Sequence, residues 1–101
     1  MSYESSRSEA LFVLIEEWLD RIRARKRFAI ELAEADEWRD LAARAKEPIN
    51  RFRCGMRARW SLEIAAARAD HYSAEDAALL RDAGKMLEVA AHLDLDRRSG
   101  D

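Results

Sequence analysis

The chain has 101 residues, of which 49% are hydrophobic and 38% are charged, with three Gly and a single Pro. So few helix-breaking residues among many Ala, Leu, Glu and Arg argue against a strand-rich fold, and the apolar share is too high for a disordered chain. The net charge of −2 conceals a basic middle, because residues 21–68 carry 13 Lys or Arg and 7 Asp or Glu, whereas the rest carries 5 and 13.

A chain of this length makes one domain. We expect an all-α antiparallel bundle of three or four helices, with residues 1–6 and 97–101 flexible. The N-terminus has no signal-peptide pattern, and the longest early apolar run, residues 10–15, is far shorter than the ~20 residues of a membrane span. The lone cysteine, Cys54, cannot form an intramolecular disulfide and suits a reducing compartment. The sequence therefore predicts a cytoplasmic protein that does not enter a membrane.

The first predicted helix runs from about Arg7 to about Arg25, with Ser6 and Glu9 as a capping box at its start. Apolar residues at helical spacing mark its inner face. They are Leu11, Leu14, Ile15, Trp18 and Ile22.

The apolar face shifts by roughly 140° near residues 24–28, although no Gly or Pro stands there. Two alternatives stay open. A break would let two helices pack as a hairpin, whereas a continuous helix over residues 7–46 would be ~60 Å long. One small domain could not bury such a helix, so the continuous form would imply a dimer.

The second predicted helix runs from about Phe28 to Lys46, and Pro48 then suits the first turn of a third helix that ends near His71. Gly55 inside the third helix either weakens it or permits a close helix crossing. The predicted inner face of the third helix comprises Ile49, Phe52, Met56, Trp60, Ile64 and Ala67.

The fourth predicted helix starts at Ser73, which Asp76 supports as a capping partner, and ends at residues 93–96. Gly84 falls off its expected inner face. That face comprises Leu79, Ala83, Met86, Leu87 and Ala90.

Residues that could perform catalysis or hold a metal are sparse. Glu88 and His92 stand four apart, but no second His-bearing pair answers them, as a di-iron bundle would require. Arginines around Cys54 favour a reactive thiolate, yet neither histidine lies near it in sequence. The three glycines form no phosphate-binding loop. We therefore expect no enzymatic activity, no metal and no cofactor.

Two clusters of basic residues distinguish the sequence. The first cluster comprises Arg21, Arg23, Arg25, Lys26 and Arg27, and the second comprises Arg51, Arg53, Arg57 and Arg59. A helical hairpin could bring the clusters near one another. Their side chains then either bind a partner or pair with acids on the second and fourth helices.

The tryptophans Trp18, Trp38 and Trp60 all fall on apolar helix faces. We expect them in the core, and the alternative is an exposed aromatic anchor for a partner. Phe52 and Trp60 are likewise expected in the core rather than as platforms that stack on bases.

These observations favour a small, non-catalytic helical protein that binds another macromolecule through its basic central region. An acidic protein face or a nucleoprotein is the expected partner, with the chain as an inhibitor or adaptor, for example of the phage anti-defence type. One alternative is direct nucleic-acid binding through Arg21–Arg27 and Arg51–Arg59, with an affinity that falls steeply with salt. A structural homodimer is the second alternative, because surface arginines serve all three roles.

Overall fold

The computed structural model describes the backbone of residues 3–100 and the side chains of residues 10–93 and 95. Its four helices are α1 (Tyr3–Arg23), α2 (Ala29–Arg44), α3 (Pro48–Ala69) and α4 (Ala74–Gly100). Short connections make consecutive helices antiparallel. α3 packs against both α2 and α4, and α1 packs mainly on α4 and touches α2 little. The predicted all-α antiparallel bundle is confirmed, with no strand in the described residues.

The break between the first two helices is real, so the continuous helix over residues 7–46 is wrong. α1 ends at Arg23, where the Lys26 N–H donates to the Arg23 carbonyl oxygen at 3.2 Å. Lys26 has a φ of 60°, the left-handed conformation that often ends a helix and that usually falls to glycine. Phe28 follows as a fully buried side chain and fixes the start of α2.

The other helix ends agree with the sequence only in part. α1 already begins at Tyr3, so Ser6 lies within the helix and cannot be its cap. The Ser73 cap is confirmed, because the Asp76 N–H donates to Ser73 Oγ at 3.2 Å. α4 continues beyond residue 96 to Gly100. Residues 1, 2 and 101 lie outside the described residues, and the flexibility of the two chain ends stays a prediction.

The hydrophobic core lies between the four helices, follows the predicted face of α1 closely and includes Leu32 and Ala35 of α2. Leu14 is an exception, since it is exposed on α1, and Leu19, which widens the predicted apolar stripe, is buried. The largest fully buried side chains are Phe28, Leu19, Ile22, Leu62 and Leu80. Leu79, Met86 and Ala90 of α4 pack against this core without being buried completely.

The inner face of α3 differs from the predicted one. Its buried residues are mostly small and comprise Ala58, Ser61, Leu62, Ala65, Ala66 and Ala69. Trp60 and Ile64, expected in the core, are 56% and 50% exposed. α3 is the helix between two neighbours, and a wide face of small residues lets α2 and α4 both approach it closely. The larger apolar residues are therefore turned outward.

Two glycines lie where α3 meets α4. A Cβ added at Gly55 would lie 3.0 Å from Ala91 Cβ, so the close crossing that the sequence allowed at this position is confirmed. Gly84 is buried, and a Cβ there would lie 3.6 Å from Arg59 Cγ. The placement of Gly84 off the inner face of α4 was wrong.

Candidate interaction surface on the third helix

An apolar stripe follows the outer side of α3. Its members recur every three or four residues, so they share one side of the helix, turned by about 180° from the buried side. They comprise Ile49, Phe52, Met56, Trp60 and Ile64, and we call them the outer face of α3. Ile49, Phe52 and Met56 are half-buried, while Trp60 and Ile64 are exposed. Soluble monomers rarely expose a contiguous apolar patch without a function for it.

Arginines border this stripe. The Arg57 guanidinium carbon lies 5.6 Å from the centre of the Trp60 ring and 6.0 Å from that of Trp38 on α2. Both Arg53 and Arg57 are exposed, and neither has an acidic partner within ion-pair distance among the described side chains. A surface depression of about 430 Å³ is lined by Phe52, Arg53, Met56, Arg57, Arg59 and Trp60.

The other two arginines of the second cluster are engaged within the fold. Arg51 donates from Nη2 to the Lys46 carbonyl oxygen at 2.9 Å, which ties the α2–α3 connection to α3. Arg59 forms ion pairs with Glu63 at 3.3 Å and with Glu88 of α4 at 3.2 Å. Only part of the predicted basic site is therefore available to a partner.

Three members of the first cluster are paired with acids of this chain. Arg23 bridges Asp20 at 2.6 Å and Asp36 of α2 at 3.1 Å. The hydrogen bond to Asp36 is the main cause that raises the pKa of Arg23. The contact with Asp36 is a pairing with an acid of the second helix, one of the two alternatives that the sequence left open.

A buried carboxylate holds two further members of the first cluster. Asp76, at the start of α4, accepts a hydrogen bond from Arg25 Nε at 2.5 Å and one from Arg27 Nη1 at 3.4 Å. Arg21 lies over the Trp18 ring instead, at 5.2 Å. Lys26 is exposed in the turn after α1.

The two basic clusters lie toward different ends of the bundle, so a helical hairpin does not bring them together. Arg25 and Arg27 are fixed on Asp76, where the α1–α2 turn lies beside the start of α4. Arg53 lies 16 residues before the end of α3, on the order of 24 Å along the helix axis. An antiparallel bundle places consecutive connections at opposite ends, so the α1–α2 turn and the start of α3 lie apart, which separates the clusters.

The tryptophans take two different roles. Trp18 and Trp38 are half-buried and pack against the core, as predicted. The core assignment of Trp60 is wrong. Phe52 is half-buried, with its ring 5.2 Å from the ring of His92 on α4. A signal for the error was present in the sequence, because α3 carries a second apolar stripe of small residues on its opposite side.

Exposed acids on α2 complete the surface beside the outer face of α3, and sequence reasoning did not select them as site residues. Glu34 and Glu37 are exposed, without an ion-pair partner among the described side chains. Near them, Ile30 is 79% exposed and Leu41 is also exposed. Glu31, by contrast, is buried and accepts a hydrogen bond from Arg68 of α3.

Within the described part of the chain, no three His, Cys, Asp or Glu side chains group in a way that could hold a metal ion. None of the described helices combines the length and the apolar character needed to cross a membrane. No model of a protein family, no curated protein and no solved structure matches the chain.

Proposed function

We propose that the chain is a non-catalytic interaction module that binds another protein through the outer face of α3. The exposure of Trp60 carries the proposal. A tryptophan that is 56% exposed, next to exposed Ile64 and under the guanidinium of Arg57, combines the residue types that dominate interface hot spots. In this role the module acts as an inhibitor or an adaptor, and its arginine border favours a partner with an acidic rim.

The distribution of charge supports a protein partner over a nucleic acid. Arg23, Arg25 and Arg27 are engaged by acids, which leaves few cations for phosphates. The exposed acids Glu34 and Glu37 on the adjacent helix repel a polyanion.

Direct nucleic-acid binding remains the second candidate because of one observation. Trp60 is exposed with Arg57 beside it, and such a pair can stack on an unpaired base while it neutralises a phosphate. This role predicts binding of single strands rather than duplexes, since a single aromatic platform offers nothing to a stacked helix.

Affinity capture with matched variants tests the protein-binding proposal. The wild type, the double variant Trp60→Ser with Ile64→Ser, and the control Val13→Ser are used as baits in lysate of the organism that encodes the chain. Val13 is a suitable control because it is an apolar residue on α1 that is as exposed as Trp60, at 56%. We expect one protein that the wild type and the control retain and the α3 variant loses. Equal retention by all three baits would refute the proposal.

A further inference from the structure

On α2 and α3, the exposed charges without a described ion-pair partner are segregated by sign. On α2, Asp36 and Asp40 form ion pairs with arginines of this chain, which leaves Glu34 and Glu37. On α3, the corresponding pair is Arg53 and Arg57. One surface of the bundle therefore holds two exposed acids on one helix beside two exposed cations on the next.

The register between these helices is fixed by contacts within the chain. Arg57 lies against Trp38, so Glu37 and Arg57 stand at similar heights along the bundle. The ion pair between Arg68 and Glu31, nearer the start of α2, agrees with this register to within about one turn of helix. Arg53 lies one turn of helix beyond Arg57, on the order of 6 Å along the axis.

We infer that the partner of this surface is a second copy of the chain, placed by a two-fold axis parallel to the helices. Rotation about such an axis leaves each residue at the same height along the helices and exchanges the positions of α2 and α3. As a result, α3 of each copy faces α2 of the other. Arg57 then faces Glu37 of the second copy, and Glu37 faces Arg57 of the second copy. Because the contact is isologous, the ion pair between Arg57 and Glu37 forms twice in the dimer. The inference rests on the proposed function, because it names the protein that the outer face of α3 binds.

Apolar side chains support the same arrangement. Ile30 and Leu41 are exposed on the α2 side of the surface, and Trp60 and Ile64 on the α3 side. In the facing copy, Ile64 lies within about a turn of Ile30, since the Glu31–Arg68 contact brings these ends of α2 and α3 together. The alternative two-fold axis, perpendicular to the helices, would stack α3 on α3 and oppose arginine with arginine, which is unfavourable.

Complementary charge reversals test this inference in the full-length protein. Sedimentation velocity over a range of concentrations measures the dimer dissociation constant of the wild type, Glu37→Arg, Arg57→Glu, and an equimolar mixture of the two variants. Each variant alone opposes like charges at both contacts, so we expect dissociation constants raised at least about tenfold. The mixture restores both contacts, and we expect it to dimerise about as tightly as the wild type.

The control pair lies on α4 and carries the same charge changes. Asp82→Arg and Lys85→Glu reverse exposed residues that have no described ion pair, and we expect neither to change dimerisation. A wild type that stays monomeric at every concentration overturns the inference, and so does a mixture that associates no better than its components. Neither result affects the capture experiment, in which loss of a different protein by the Trp60 and Ile64 variant still supports an interaction module.

Discussion

Arg57 lies over the ring of Trp60, 5.6 Å from its centre, on a side of α3 that the other described residues leave exposed at Trp60 and Ile64. The same guanidinium approaches Trp38 on α2 at 6.0 Å, so one arginine connects an exposed aromatic to a half-buried one. The contact with Arg57 holds Trp60 at the surface, and packing against the core does not contribute to its position. Its role in stability and its role in binding should therefore separate experimentally.

We predict that Trp60→Ser changes the free energy of unfolding by less than about 1 kcal/mol, because the side chain is largely solvated. Leu62→Ala, two residues away on the buried side of α3, should cost about 2–5 kcal/mol. Urea denaturation followed by circular dichroism measures both. A loss of several kcal/mol for Trp60→Ser would mean that Trp60 belongs to the core.

The fold was predictable from the sequence because breakers are few and the apolar spacing is helical throughout. The break after α1 was predictable only as an alternative, since Lys26 adopts a left-handed conformation that its residue type rarely takes. The orientation of α3 could not be derived from the size of its apolar residues. Trp60 and Ile64 form the more conspicuous stripe, but close approach of two neighbouring helices selects Ala58, Ala65 and Ala66 for the interior.

Only part of the candidate site could be predicted from the sequence, because packing again decides the outcome. Sequence identifies which residues are basic, but only the packing decides which of them are already paired. Arg25 and Arg27 stand next to the same buried acid although Asp76 is about fifty residues away in sequence. No local pattern reports that contact.

The two interhelical glycines should respond differently to alanine. A Cβ at Gly84 meets Arg59 Cγ at an ordinary contact distance of 3.6 Å, so Gly84→Ala should raise stability by up to about 1 kcal/mol through helix propensity. A Cβ at Gly55 lies only 3.0 Å from Ala91 Cβ, so Gly55→Ala should be the less stable of the two variants. Thermal unfolding monitored by circular dichroism ranks them. The reverse order would contradict the described crossing of α3 and α4.

Removing the charge of Asp76 should destabilise the α1–α2 turn. Asp76→Asn removes the buried negative charge and leaves Arg25 and Arg27 with one acceptor oxygen instead of two, and we expect a loss of about 1–3 kcal/mol. Asp82→Asn, on the same helix but exposed, is the matched control and should have no effect beyond about 0.5 kcal/mol. Chemical denaturation of both variants provides the comparison, and equal stabilities would show that the buried ion pair contributes nothing.

The end of α3 should respond to acid through one exposed ion pair. Arg81 of α4 donates from Nη1 to Asp70 Oδ1 at 3.0 Å, and this hydrogen bond lowers the pKa of Asp70 below its ordinary value of 3.8. A lowered carboxyl pKa in the folded state contributes stability above that ordinary value, and the contribution is lost as the pH falls through the folded-state pKa. An NMR titration of the Asp70 carboxyl carbon should show the lowered pKa in the wild type. In Arg81→Gln the pKa should return toward its ordinary value, and an unchanged pKa would exclude Arg81 as the cause.

Nucleic-acid binding provides the last test, because the two proposed functions differ in how many arginines can contact phosphates. With Arg23, Arg25 and Arg27 engaged by acids, contacts by Arg53 and Arg57 alone would give a slope of about −2 in a plot of log K against log salt for duplex DNA. Binding of that kind disappears at physiological salt. We therefore expect fluorescence anisotropy of labelled single- and double-stranded oligonucleotides to show no binding at physiological salt, for the wild type and for Arg53→Glu with Arg57→Glu alike.

Micromolar binding at physiological salt that the double variant loses would instead favour the nucleic-acid function. A slope several times steeper, reduced by Arg25→Glu with Arg27→Glu, would mean that the ion pairs at Asp76 open to bind phosphates.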